Sequence, residues 1–398
     1  VKPLEGLRIL DLTRVLAGPF ATAILADLGA EVIKIEPPRG DEYRHIGPFR
    51  EGESALFSLT NRGKHSVVLD LKAPEGQALA RQLATGCDVV VENFRPGVAA
   101  RLGLGAEDLR RDNPGLVHCA ISGFGQSGPA ADLPAYDIVV QAMSGWMDAT
   151  GEEDGAPLKV GEALGDVAAG LYAVIAILAA LVGRGRSGKG ATLDVAMLDC
   201  LVAMLPTSHA LHLYAKAPVA RVGNRHPFST PFGAFRTADG HVVIAVLSPR
   251  QFEGLCTAIG RPEAAEDPRF ATDELRTAHE PEIRAMIEAW TGPRPAAEAV
   301  AALSAAKVPA APILTLADQL GSDHAAARGL VSELPHPRLG KAPVVGQPVR
   351  FDGQAPLAEA GAPALGSGTR AVLEGLGLDQ DQIAGLVAAG IVREYEDA

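Results

Sequence analysis

Apolar and polar residues alternate over Leu7-Arg8-Ile9-Leu10-Asp11-Leu12, which predicts a strand. Phe20 to Leu28 carries its apolar positions at helical spacing and stops at Gly29. Glu31-Val32-Ile33-Lys34-Ile35-Glu36 predicts the next strand, ended by Pro37-Pro38. Together these make one βαβ unit. The alternation continues with a strand at Ser66 to Leu71, a helix at Pro74 to Leu83 and a strand at Cys87 to Glu92. A short helix at Val98 to Leu102 and a strand at Leu116 to Ile121 follow. Helical stretches at Asp137 to Met147 and Val167 to Leu181 then lead to a strand at Gly190 to Val195. Strands alternating with helices predict an α/β fold, with a parallel sheet covered on both faces.

Near Pro206 the pattern changes. Phe232 to Ala238 and His241 to Leu247 flank Asp239-Gly240, a strong hairpin signal. Helical spacing follows at Gln251 to Ile259, Glu274 to Trp290 and Ala296 to Ala306. The expected organisation is a large domain over 1–205, a linker over 206–225 and a smaller α+β domain over 226–312. Ala305 to Pro312 reads as the exit from that domain. Residues 313–398 are turn-rich and end in helical patterns at Arg370 to Leu376 and Gln380 to Ala389.

Composition narrows the classes. Hydrophobic residues make up 47% and charged residues 21% of 398, the balance of a folded globular chain. Forty-four Gly and 29 Pro exceed the usual ~12% share and predict many turns. A net charge of −12 disfavours nucleic acid and anionic membrane as partners, because both reward a basic face. The uncharged run from Val167 to Gly183 barely reaches the ~30 Å of a bilayer core and reads as a buried helix. Cys87, Cys119, Cys200 and Cys256 are too far apart for a C-x-x-C site. Few thiols, and a start that enters a strand with no apolar leader, set the expectation of a reducing cytoplasm.

Two glycine motifs fail on context. Gly183 to Gly188 matches G-x-G-x-x-G and most of a phosphate loop, but follows a helix and precedes a strand, the reverse of the required order. A basic turn is the expected structure there. Gly123 to Gly128 follows a strand, yet Pro129 and Pro134 prevent a helix from opening directly after it. Nicotinamide binding is therefore not expected. The histidines are scattered, and no metal site is expected.

Asp166, in Gly161-Glu-Ala-Leu-Gly165-Asp-Val-Ala-Ala-Gly170, stands at the start of the most apolar helix. It could simply cap that helix by accepting backbone N–H bonds. It could also be a nucleophile, since a carboxylate can attack an activated acyl group and free N–H groups can stabilise an oxyanion. A helix dipole serves both roles, because it favours the ionised form.

Leu4 to Thr13, Ala17-Gly-Pro19, Leu25 to Glu36, Gly40-Asp41 and Val91-Glu-Asn-Phe-Arg-Pro-Gly97 follow one family's pattern. Ser122 to Pro129, Ala135-Tyr-Asp137, the Asp166 segment, Gly223-Asn224 and Pro363 to Gly366 continue it. The chain resembles the class III CoA-transferases, the CaiB–BaiF family, over essentially its full length. The resemblance implies an interlocked homodimer, each subunit having a Rossmann-like large domain built from both chain ends plus a small domain. It places the family's catalytic aspartate at Asp166. That residue would form an acyl-aspartyl mixed anhydride and then an aspartyl-CoA thioester. Acyl-CoA and a carboxylic acid are the implied substrates, with CoA as co-substrate and no tightly bound cofactor.

Residue by residue, the resemblance puts Val15, Leu69, Lys72, Asn93, Phe94, Arg101, Tyr136 and Met197 at CoA-lining positions, with Arg14 at a position of variable type. Lys72 and Arg101 could offset phosphates, and Phe94 could stack on adenine or pack on the pantetheine arm. Each also has an ordinary reading as solvated charge or core. The racemase branch has a His where this chain has Tyr136, and a neutral phenol is a poor base at pH 7. Transfer is therefore favoured over an acyl-CoA racemase, and a non-catalytic CoA-binding module stands as a third reading. The oxalate branch's glycine run, and its Trp near the position of Ile46, are missing, so a longer short-chain dicarboxylate is the expected acceptor. Arg44, His45 and Arg50 are candidates for its distal carboxylate, or are solvated charges.

Overall fold

The computed structural model describes residues 2–395. Six parallel strands form the main sheet: β1 (Arg8–Asp11), β2 (Glu31–Glu36), β3 (Lys64–Leu69), β4 (Val89–Glu92), β5 (Val117–Ser122) and β6 (Thr192–Ala196). Their spatial order is β3-β2-β1-β4-β5-β6. The C-terminal strand Val392–Arg393 adds antiparallel beside β3, so both chain ends build the sheet. Ile9 of β1 lies opposite Val32 on one side and Val89 on the other.

Helices fill the crossovers. These are α1 (Ala17–Asp27), α2 (Pro74–Thr85), α3 (Ala106–Asp112), α4 (Asp137–Met143) and α5 (Leu164–Ser187), while α6 (Met197–Ala203) follows the last parallel strand. Successive strand residues point to opposite faces, and both faces are apolar. Ile9, Val32, Val89, Val91 and Val117 pack with Ala21 and Leu25 of α1 and with Ala169, Ala173 and Ile177 of α5. Leu10, Ile33, Val67 and Val90 pack with Leu79 and Leu83 of α2 and with Leu373 and Ile383 near the C-terminus. The strand order reverses between β1 and β4, the kind of switch point at which open α/β sheets form a ligand crevice at the strands' carboxyl ends.

Helix α5 runs on through Gly183 and Gly185 to Ser187. The expected basic turn is therefore the last turn of this helix. Arg184 anchors it, 2.9 Å from Asp88, and Gly188 ends it at φ +69°. By length and composition α5 could cross a membrane. Here Ala168, Ala169, Ala173, Val174 and Ile177 form its buried side.

The residues up to Trp146, Lys159–Pro206 and the chain from Asp323 onward cluster as one unit. Met147–Leu158 and Thr207–Ser322 form the second. Met147–Leu158, read from sequence as part of the large domain, thus groups with the smaller unit, and within the expected linker and return over 313–398 the return begins at Asp323. The 206–225 stretch is partly helical, with Pro206–His209 and a π-helical Ala210–Ala215.

In the smaller unit Phe232–Arg236 and His241–Ala245 pair antiparallel around Asp239-Gly240. Ala310–Pro312, expected as exit linker, is instead a third strand against His241–Ala245. It covers a hairpin edge that would otherwise leave backbone groups unpaired. The expected Glu274 to Trp290 helix is two, Asp273–Ala278 and Glu280–Thr291. Pro281 lacks an N–H and fits only the first turn of the second.

Candidate active site

The loop leaving β1 enters the crevice under tight control. Thr13 is fully buried, and its N–H and Oγ1 donate to Asp11 Oδ1 at 2.9 and 2.5 Å. Arg14 N–H donates to Asn93 Oδ1 at 2.9 Å, and Asn93 Nδ2 donates back to Arg14 C=O at 2.8 Å. Val15 follows at φ +68°, the left-handed region, where a β-branched residue is strained. Its N–H donates to Asp41 Oδ1 at 3.1 Å. Two residues later Ala17 opens α1.

Asp166 is the third residue of α5, half-buried. It does not cap the helix, which corrects the capping reading. The N-cap is Ala163, which makes no side-chain cap bond. Asp137 does that work from α4, accepting Gly165 N–H on Oδ1 at 2.6 Å. Gln141, fully buried, donates to Asp137 Oδ2 at 2.6 Å and to Glu162 C=O at 3.0 Å. Its Oε1 also accepts Val160 N–H at 2.9 Å, which staples the approach to α5 onto α4.

Asp166 is thus free of capping. Burial pushes its pKa up to about 7, the Asp137 charge pushes the same way, and the backbone N–H of Ala17 acts against them. Tyr43, half-buried on the 3₁₀ turn Glu42–His45 after β2, senses the same charges. Its phenol is pushed up by burial and then by Asp166, Asp41 and Asp137.

This carboxylate sits at the switch point of a doubly wound sheet, in a chain whose residues 4–369 match the family model "CoA-transferase family III". The chain belongs to CoA-transferase family III. It is 40% identical over 400 residues to the succinyl-CoA:glutarate CoA-transferase of Mus musculus, covering 100% of this chain and 92% of that one. It is 44% identical over 369 residues to the acetyl-CoA:oxalate CoA-transferase of Acetobacter aceti, covering 91% and 93%. A CAIB/BAIF family protein from Brucella suis superposes at TM-score 0.84 with 39% identity, over 94% of this chain and 99% of that one. The chain is thus a CoA-transferase, an enzyme class whose co-substrate is a CoA thioester. The oxalate enzyme is as similar as the glutarate ones, so these likenesses lend no support to setting oxalate aside.

The residues matched to the family's CoA-lining positions fall in different surroundings. Val15, Arg14, Asn93 and Phe94 form one connected group, with the Arg14 guanidinium 5.5 Å from the Phe94 ring centroid and 2.9 Å from Glu42. Lys72 lines a cleft of about 430 Å³ with Arg39, His45 and Glu42. Arg101 is exposed at the end of the short helix Val98–Arg101. Tyr136 is 77% exposed. Leu69 and Met197 are core side chains.

Of the three distal-carboxylate candidates, Arg44 is corrected. Its Nε and Nη2 both donate to the fully buried Glu36 at 2.7 Å, and Nη2 also reaches Pro363 C=O at 3.1 Å. Its guanidinium lies 3.7 Å from the Phe57 ring centroid. These bonds commit it to the fold. His45 Nε2 is 2.8 Å from Arg39 C=O, and Arg50 is exposed in a short hairpin.

The sequence reading assigned no role to Tyr43, Arg39, Asp41, Gln141 or Asp137. Asp41 and Asp137 stand inside the matched motifs, a usable signal. Nothing in the spacing of Tyr43 or Arg39 points to the crevice. Glu92, at the end of β4, is another such group. Burial raises its pKa to about 7 while it accepts Phe94 N–H at 2.7 Å.

Proposed function

We propose that Asp166 is the acyl-accepting nucleophile of a CoA-transferase whose acceptor is a short-chain dicarboxylate. The carrying observation is the half-buried Asp166 carboxylate in the first turn of α5, free of any capping bond. Ionised, it attacks the donor thioester carbonyl. The C–S bond breaks, and CoA leaves as thiolate from a mixed anhydride. The thiolate attacks the aspartyl carbonyl, expels the donor carboxylate and forms an aspartyl-CoA thioester. The acceptor carboxylate attacks that thioester and releases the thiolate again. The thiolate then takes the acceptor acyl group and restores Asp166. Each activated acyl group replaces another, so no external energy source enters.

The acceptor class follows from the glutarate- and oxalate-using relatives. Lys72 and Arg39 in their shared cleft, with Arg101 nearby in sequence on the β4 side, supply cations for the CoA phosphates. Val15 and Phe94 supply apolar contacts for pantetheine or adenine. Leu171, Ile175 and Val182 on the exposed side of α5 suit burial in a homodimer. A reducing cytoplasm suits the four buried free cysteines.

Incubation with succinyl-CoA and then hydroxylamine should leave a hydroxamate on the peptide containing Asp166. Loss of α-deuterium with no modified peptide would instead indicate racemisation. Neither signal, with CoA bound, would indicate a binding module.

A further inference from the structure

The loop between β1 and α1 is pinned through more than one layer of side chains. Thr13 N–H, Arg14 N–H, Arg14 C=O and Val15 N–H are bound by Asp11, Asn93 and Asp41. Thr13 C=O accepts Lys34 Nζ at 2.8 Å. Lys34 and Asp41 are both fully buried and lie 2.9 Å apart. Asp41 Oδ1 also accepts Tyr43 N–H at 2.9 Å, so one carboxylate fixes both the Val15 turn and the turn that carries Tyr43.

Two charges taken wholly out of water are costly to the fold, and hydrophobic residues of similar volume are often as stable. Here the pair holds a β-branched residue at positive φ, a conformation that is strained unless its surroundings impose it. The residue so held is two positions before Ala17, whose carbonyl would lie 2.8 Å from a Cβ on Gly170, one turn along α5 from Asp166.

We infer that Lys34 and Asp41 are a positioning pair for acyl transfer, locking the Val15 turn so that the start of α1 is set against the turn of α5 that carries Asp166. Neither touches the reacting atoms. The inference rests on Asp166 being the nucleophile and adds the device that fixes the backbone beside it. Asp137 and Tyr43 are the titratable side chains that share the Asp166 field, and both stay in place in the test.

The test is the Lys34→Met/Asp41→Asn double variant, which removes both charges without changing net charge. The expected kcat loss is on the order of tenfold to a hundredfold, the scale for displaced catalytic geometry. KM for succinyl-CoA should change by less than about threefold, and the acid limb of kcat should move to higher pH as the Ala17 N–H moves away from the carboxylate. Adding Val15→Gly, which takes positive φ freely, should recover part of kcat. A folded double variant with wild-type kcat and acid limb would overturn the inference, as would a kcat loss that Val15→Gly leaves untouched. If the double variant does not fold, Lys34→Met alone is read by the same split between kcat and KM, and an unchanged kcat overturns the inference. Asp166→Asn is run in parallel. Its retention of turnover would sink the nucleophile reading itself, whereas its inactivity beside a normal double variant would sink only the positioning pair.

Discussion

The N–H of Ala17, the first residue of α1, favours the ionised form of Asp166 in the first turn of α5. The carboxylate therefore sits at the positive ends of two helix dipoles, and both favour its ionised form. Burial and Asp137 outweigh that help and leave the pKa at about 7. Only the ionised form attacks a thioester. The rate should therefore fall as pH drops through about 7, tenfold per pH unit well below it, and level off above. A single-turnover measurement of acyl transfer across pH 5–9 checks this. A flat profile down to pH 5 would contradict it.

The same shift predicts how stability depends on pH. The folded pKa, about 7, lies above the ordinary 3.8. Between those values the folded state holds a proton that the unfolded chain has lost. This contribution to stability is therefore fully present below about pH 4 and is lost as pH rises to about 7. Asp166→Asn removes the titration. Denaturant unfolding should show the variant gaining on wild type from pH 4 to pH 7, by at most about 1.4 kcal/mol per pH unit. Above pH 8 the gain should be constant.

Asn93 uses both ends of its amide on one residue, accepting Arg14 N–H and donating to Arg14 C=O. Asn93→Ala leaves both groups of a tight loop without these partners, at about 1–3 kcal/mol for each buried group left unpaired. Asn93→Asp keeps the acceptor and loses the donor, so it should fall between wild type and Ala. Thermal unfolding and kcat should rank the three proteins in the same order.

How much of this was legible in the sequence depends on the range of the interaction. Period-2 and helical spacing along β1, α1 and β2 mark those elements, because local patterning decides them. Ala310–Pro312 was missed because its pairing is with a strand some 65 residues earlier, and an edge that wants covering leaves no local mark. Asp166 was legible as a candidate from its place before an apolar helix. Its release from capping was not, because the substitute cap is Asp137, 29 positions away. Arg44 reads as an anion receptor from its sequence neighbours, and only the fold shows Glu36 claiming it.

That claim makes a distinct prediction. Burial works against the ionised Glu36, and the bonds and charge of Arg44 override it, holding the carboxyl below its usual range. Arg44→Ala leaves a buried carboxylate without its cation, an effect of about 3–5 kcal/mol on unfolding free energy. Arg44→Lys should lose part of this, since one ammonium cannot replace a two-point contact. In the folded fraction KM for the acceptor acid should stay within about twofold of wild type. A large rise in that KM, with stability unchanged, would restore Arg44 as a substrate residue.

Gly170 sets how closely α1 and α5 approach. A Cβ there would lie 2.8 Å from Ala17 C=O and 2.9 Å from a Phe20 ring carbon. One contact is backbone and cannot swing aside, so Gly170→Ala must push the start of α1 away from α5. Overpacking of this kind costs about 1–3 kcal/mol. The displaced residue is the same Ala17 whose N–H favours the ionised Asp166, so the loss should reach the chemistry as well. Gly170→Ala should lower kcat and move its acid limb upward, while a change of equal stability cost in the second core, such as Leu83→Ala, should lower the melting temperature alone. If both variants leave the acid limb where it is in wild type, the Ala17 contact does not govern the ionisation of Asp166.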